Sequence, residues 1–204
     1  MFNQFFETIK RFVPLSTDDQ AAITAAFRVC QLRKKETLLL QGSMCMSASY
    51  IVKGLLRVYH ADPQDNQFVL KFATENEWAV DLGSFFNQQA AIVTIEAVEA
   101  TKVLYTDHRS LLALFGQVPA FERYVRLIQQ QALVDMQQRL LSVMRQTADQ
   151  RYLQFIMTYP ALVQRLPQKQ IASYLGISPE FLSKLRGQMS RGATRHAMPF
   201  LAQA

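Results

Sequence analysis

The chain has 204 residues, half of them hydrophobic, with 22 Lys and Arg against 16 Asp and Glu for a formal net charge of +6. That length buries a real core and suits two modest domains better than one large one. Two unpaired-looking cysteines, Cys30 and Cys45, imply neither a disulfide framework nor a zinc site, and no apolar run approaches the ~18 residues that span a bilayer; with no secretory leader in view, a reducing cytoplasm is the expected location.

Met1 to Leu15 is apolar at Phe2, Phe5, Phe6, Ile9, Phe12 and Val13 but is interrupted by Glu7, Lys10 and Arg11, so it reads as an amphipathic helix packed on the domain, with a membrane-surface role as the alternative. From about Glu36 to Thr106 short β-type runs follow: Leu38 to Leu40, Ser49 to Lys53, Leu55 to His60, Gln67 to Ala73, Glu77 to Val80, Val93 to Val98 and Lys102 to Tyr105. Turn signals at Gly42-Ser43, Lys53-Gly54, Asp62 to Asn66 and Gly83 separate them, a spacing that predicts an all-β roll or barrel. Asp107 to Phe115 reads as a short helix, and Gly116 to Pro119 as a break.

Ala120 to about Met144 contains no Gly or Pro, and Leu127, Val134 and Leu141 recur at heptad spacing. This predicts a long helix with an apolar seam. A helix of ~25 residues linking two domains is poorly buried unless it meets a partner, so a homodimer is expected over packing on its own domain. Five glutamines, Gln129, Gln130, Gln131, Gln137 and Gln138, leave the seam incomplete. Ala148 to Thr158 is a further helix that stops before Pro160. Arg165 to Pro167 leads into the segment that starts at Gln168, and the pattern after Arg186, with Gly187, Gly192 and Pro199, is weak.

Gln168 to Arg186 carries the most chemistry. Ile171, Leu175, Ile177, Leu182 and Leu185 fall where two crossed helices bury them, with Ala172 small at the close approach. Gly176 tolerates the positive φ that stops a first helix. Ser178 is a natural N-cap, and Pro179 at the first helical position has no amide hydrogen to strand. Phe181, Leu182 and Leu185 are the packing candidates of the second helix, which leaves Glu180, Ser183, Lys184 and Gln188 outward on its first turns. This is the pattern of a DNA-reading helix-turn-helix, in which the start of the second helix meets base edges and the first crosses the backbone.

The charge is segregated in the same direction. Residues 1 to 118 hold 11 Lys and Arg against 12 Asp and Glu, net −1, and residues 119 to 204 hold 11 against 4, net +7. A basic region of this kind is the footprint of a phosphate-binding surface.

An N-terminal helix, a β-roll, a long helix and a C-terminal helix-turn-helix, in that order, resemble the Crp/Fnr family of bacterial transcription regulators. Ile51 to Tyr59 is similar to the hairpin of the cyclic-nucleotide-binding roll, and Lys35 to Gly42 to the strand and glycine turn before it; the likeness covers about Phe6 to Gln188. It implies an α+β chain: a cyclic-nucleotide-binding-domain-like roll over 1–118, a connecting and dimerisation helix over 119–145, and a winged-helix-like helix-turn-helix domain over 146–204. It also implies Glu180, Ser183 and Lys184 as base readers, with Lys where Arg is more usual. Arg165, Lys169, Ser173 and Arg186 are then the phosphate contacts. Double-stranded DNA, a second copy of the chain and RNA polymerase are the partners it implies.

Relatives that bind cyclic nucleotides place an Arg against the cyclic phosphate. From Phe72 through Thr101 this chain has no Lys or Arg, while Glu75, Glu77, Asp81, Glu96 and Glu99 are acidic. A buried phosphate there lacks its cation, so cyclic AMP is not expected. Two cysteines are too few for an iron–sulfur cluster. Trp78, Asp81, Leu82, Phe85 and Phe86 are candidates to line a pocket for an uncharged effector, with aromatic core packing as the other reading. The expected cofactor is therefore none, an unidentified small effector apart. His60, His108 and His196 are scattered, which argues against haem, a metal site or an enzyme built on the roll. The remaining alternative is a ligand-binding or protein-interaction module whose helix-turn-helix no longer reads DNA.

Overall fold

The structure, a computed structural model, describes residues 1–196, with side chains as far as Met189. Two compact units divide it, Met1–Gln138 and the chain from Arg139 onward.

The first unit opens on α1 (Phe2–Lys10), which buries Phe5, Phe6 and Ile9 and keeps Glu7 and Lys10 outside. This is the amphipathic packing its sequence implies. A second helix, α2 (Thr17–Ala26), was not legible from periodicity because only Ile23 is buried on it. A capping box starts it: Ser16 Oγ accepts the Asp19 N–H at 3.0 Å, and the Asp19 carboxylate accepts the Ser16 N–H at 2.8 Å.

Eight strands follow: β1 (Arg28–Leu32), β2 (Thr37–Leu39), β3 (Ser47–Lys53), β4 (Leu56–Ala61), β5 (Gln67–Ala73), β6 (Trp78–Ala79), β7 (Thr94–Ala97) and β8 (Thr101–Asp107). A short helix, α3 (Leu82–Asn87), lies between β6 and β7, and α4 (His108–Gln117) follows β8. The strands form two antiparallel sheets, ordered β1-β8-β3-β6 and β2-β7-β4-β5. β3 pairs with β6 and β8, whereas β4 pairs with β5 and β7. Ile51 to Tyr59 is therefore not a paired hairpin: at Gly54 the chain crosses from one sheet to the other. Gly54 has φ +110°, and a Cβ there would lie 2.6 Å from the Thr101 Cα. Only a residue without a side chain fits the crossing.

Strand alternation sorts the side chains of this unit. Tyr50 and Trp78 are antiparallel partners and share one face; Ser49 and Ala79, also partners, share the opposite one. Tyr50 and Trp78 join Phe5, Phe27, Phe121 and Tyr124 in an aromatic cluster, with ring centroids 4.3 Å apart for Phe5 and Tyr50 and 5.9 Å for Phe5 and Trp78. Each large ring so buried stabilises the fold by roughly 1.5–3 kcal/mol before entropy is counted.

The long helix α5 (Pro119–Arg145) is unbroken over 27 residues, and the boundary between the units falls within it. In the second unit α6 (Ala148–Thr158) begins on a capping box between Thr147 and Gln150. A short α7 (Pro160–Arg165), not anticipated, then starts with proline at its first position. The helix-turn-helix is α8 (Gln168–Leu175) and α9 (Pro179–His196). α9 continues ten residues past Arg186, through Gly187 and Gly192, where the sequence pattern is weak. Among the described residues from Arg139 on there is no strand, so the wing of a winged helix has no counterpart there. Pro199 and the end of the expected C-terminal domain lie outside the described residues.

Candidate nucleic-acid interface

The turn between α8 and α9 is built as its residues demand. Gly176 is left-handed at φ +68°, and the Ile177 N–H reaches back to the Ala172 carbonyl at 3.1 Å, closing the helix end. Ser178 Oγ accepts the Phe181 N–H at 3.1 Å, as an N-cap should. Ile171, Ala172, Leu175, Leu182 and Leu185 are buried, and Ile177 is half-buried. Phe181 departs from the expected packing: it is 44% exposed, because Leu182 and Leu185 alone point toward α8.

Glu180, Ser183 and Lys184 are all exposed on the first two turns of α9. Phe181 is added to that surface by the structure. The Glu180 carboxyl is held below the usual carboxylate range, first by its own backbone N–H and then by the Ser178 hydroxyl. It is thus anionic at the helix N-terminus, where negative charge is favoured. Lys169 is exposed at the start of α8, whereas Arg165, Ser173 and Arg186 are half-buried and both Arg165 and Ser173 already have partners.

Two arginines counted in the basic excess have structural work. Arg139 Nη2 donates to the Tyr174 carbonyl at 3.0 Å with its guanidinium 4.0 Å from the Tyr174 ring centroid, and Arg151 Nε donates to the Leu175 carbonyl at 3.2 Å. Both satisfy carbonyls of the last turn of α8, which no intrahelical donor reaches. Desolvation pulls the Arg139 pKa down from its ordinary value. The sequence shows charge but not which cations the fold consumes.

In the first unit the five candidate pocket residues do not form one site. Trp78 belongs to the aromatic cluster and donates its indole N–H to Tyr124 Oη at 3.1 Å. Asp81 caps α3: its Oδ1 accepts the Ser84 N–H and its Oδ2 the Ile92 N–H, both at 3.0 Å. Phe85 is buried, Leu82 and Phe86 are exposed, and both phenylalanine rings meet His108. His60 faces the Ile92 carbonyl through Nδ1 at 2.8 Å. A cavity of about 190 Å³ does exist in this unit, but Leu38, Leu39, Ala79 and Ile95 are among its walls and none of the five lines it. Among the described residues no helix is long and apolar enough to cross a membrane, and no group of three or more His, Cys, Asp or Glu is placed to hold a metal ion.

Along α5, Phe121, Tyr124 and Val125 are buried and Leu127 packs partly against the core of the roll. Beyond them Leu133, Val134, Met136, Leu140, Leu141, Val143 and Met144 are each between 43% and 72% exposed. Leu133, Met136, Leu140 and Val143 alternate three and four residues apart and so share one helical stripe, with Val134 and Leu141 on its flank.

In chain order a roll leads through a long helix into a helix-turn-helix. The family model described as a cyclic nucleotide-binding domain matches residues 29–118. The transcriptional activator protein FnrA of Stutzerimonas stutzeri is 28% identical over 165 residues, covering 76% of this chain and 67% of that protein. Among solved structures, the c-di-GMP-responsive global regulator CLP of Xanthomonas campestris shares the fold at a TM-score of 0.74, with 12% identity over 87% of this chain and 93% of that one. FixK2 of Bradyrhizobium japonicum shares it at 0.72, with 17% identity over 87% and 89%. The chain is thus similar, in sequence over its roll and in fold over most of its length, to transcription regulators of the Crp/Fnr kind.

Proposed function

We propose that the protein is a homodimeric, sequence-specific DNA-binding regulator that works in the cytoplasm. Its paired α9 helices enter successive major grooves about 34 Å apart on a pseudo-palindromic operator. The observation that carries this reading is the exposed row of Glu180, Phe181, Ser183 and Lys184 at the start of α9. The chemistry of each fits a base edge: Lys184 donates to guanine O6 and N7, Glu180 accepts from cytosine N4, Ser183 takes either partner, and Phe181 covers a thymine methyl. Lys169 and Arg186 hold phosphates and set the register, Arg165 and Ser173 with them. The exposed stripe of α5 is the dimer seam in this reading, since neighbouring exposed apolar side chains along one helix mark an interaction site.

The roll does not take cyclic AMP in this reading. The segment from Phe72 through Thr101 supplies no Lys or Arg, and both Asp81 oxygens are already engaged with backbone N–H groups. RNA polymerase is a further partner if the regulator activates.

Operator selection from genomic fragments followed by footprinting tests the reading. Glu180→Ala and Lys184→Ala are expected to relax sequence preference at one position per half-site, each by about 1–3 kcal/mol. Protection patterns unchanged in both variants, or no protection by the parent protein, would overturn it.

A further inference from the structure

Phe181 is 44% exposed, and among residues 179–188 it is the one large apolar side chain left outside. Its neighbours fix its position. Leu182 and Leu185 are buried where α9 meets α8, which sets the rotation of α9 and turns Phe181 outward. Ser178 Oγ holds the Phe181 N–H at 3.1 Å. Three residues on, Lys184 shares the same helical stripe and is exposed as well. An aromatic ring thus stands beside the cation assigned to guanine. Glu180, preceding it, is anionic, and a carboxylate disfavours a phosphate oxygen as neighbour. The surroundings that suit this ring are therefore base edges rather than the sugar–phosphate backbone.

In the major groove the base edges offer one apolar group, the C5 methyl of thymine. A phenyl ring has no donor or acceptor with which to tell one polar edge atom from another, so it distinguishes pyrimidines by whether that methyl is present. Uracil lacks it, and 5-methylcytosine carries it at the same place on the ring. Side chains three apart on a helix have Cβ atoms about 5–6 Å from each other, which spans one to two base steps of about 3.4 Å.

We propose that Phe181 reads the C5 methyl group of a pyrimidine one or two base pairs from the guanine held by Lys184, so that the protein favours thymine and 5-methylcytosine there over uracil and unmodified cytosine. Cytosine methylation at that position is then a covalent input to operator affinity. It acts through the DNA and needs nothing bound in the roll. The inference rests on the reading of α9 as the base-contacting helix, and it adds to that reading a regulated contact that neither charge nor hydrogen bonding supplies.

Fluorescence-anisotropy titration of the full-length protein on the footprinted operator tests it. The guanine is located first, as the position at which Lys184→Ala loses its preference. Each pyrimidine within two pairs of it, on either strand, is then presented as thymine, uracil, cytosine and 5-methylcytosine. Thymine and uracil keep an adenine partner, and cytosine and 5-methylcytosine keep a guanine partner, so each comparison isolates the methyl. At one such position both comparisons should differ by about fourfold in dissociation constant per half-site, the worth of one buried methyl. Phe181→Ala should abolish both differences, keep the guanine preference and leave the salt dependence of affinity unchanged, because it removes no phosphate contact. Phe181→Leu, still apolar, should retain part of the discrimination. Equal affinity with and without the methyl at every such position, or discrimination that survives Phe181→Ala, would overturn the inference and leave the reading of α9 standing. Every guanine preference surviving Lys184→Ala would overturn it through its anchor. No sequence-specific binding by the parent protein would overturn the inference and the reading of α9 together.

Discussion

The indole N–H of Trp78 donates to the phenol oxygen of Tyr124 at 3.1 Å, fastening the short strand β6 to the first turns of α5. Burial pushes the Tyr124 hydroxyl up to about 12. The phenol of the unfolded chain ionises near its ordinary value of 10, so the unfolded state loses its proton first as pH rises. The stability tied to the neutral phenol is intact below about pH 10 and declines by about 1.4 kcal/mol per unit toward pH 12. Tyr124→Phe should cost about 1–3 kcal/mol at neutral pH by stranding the indole N–H, and should flatten that alkaline decline. Urea melts followed by circular dichroism at neutral and alkaline pH check both.

Gly54→Ala should be among the most damaging single changes in the roll. The added methyl would meet Thr101 Oγ1 at 2.5 Å and the Ala100 carbonyl at 2.8 Å, at a backbone φ of +110°. Left-handed strain and overpacking together predict a loss of about 3–5 kcal/mol. Thermal unfolding of the purified variant reads this directly, and a loss under about 1 kcal/mol would show that the crossing relaxes.

Arg139 and Lys169 should separate stability from phosphate binding. Arg139→Ala removes the donor to the Tyr174 carbonyl and the cation over its ring, for a loss of about 1–3 kcal/mol in the second unit. It should leave the salt dependence of DNA affinity unchanged. Lys169→Ala should do the reverse, reducing the slope of log affinity against log salt by about 1 with little change in stability.

Leu140→Glu should dissociate the proposed dimer. Leu140 is 61% exposed in the middle of the α5 stripe, and a carboxylate buried there costs about 3 kcal/mol or more, over about a hundredfold in dissociation constant. Leu127→Ala should instead weaken the roll, against which Leu127 packs, and leave association in place. Sedimentation equilibrium on the two variants tells these roles apart.

The long helices, α4 and the strands β2 to β8 were legible in the sequence, whereas α2, β1, α3 and α7 were not. α5, α6, α8 and the start of α9 follow from apolar spacing, Gly176, Ser178 and the prolines, each a local rule that the tertiary structure obeys. α2 buries only Ile23, and β1 shows burial at Leu32 with its other residues exposed or half-buried. Neither has a periodic signal, although the Ser16 and Asp19 capping box marks the start of α2. The crossing at Gly54 was hidden for another reason: two strands joined by a glycine look like a hairpin until the partner strands are known. In the candidate site, Glu180, Ser183 and Lys184 fall outward as their spacing implies. Phe181 does not stay inside, because side-chain direction on one turn depends on how α9 is rotated against α8. Trp78 and Asp81 were drawn toward a pocket by residue type, and the fold uses one as core and the other as a helix cap.

Trp78 is the sole tryptophan of the chain, and it stands inside the aromatic cluster of the roll. All indole emission from the protein therefore originates at a single address in the first unit. Melting of the roll can be followed by fluorescence while melting of α6 to α9 stays silent in that channel and appears only in far-ultraviolet ellipticity, so the two units can be unfolded and timed independently without a label.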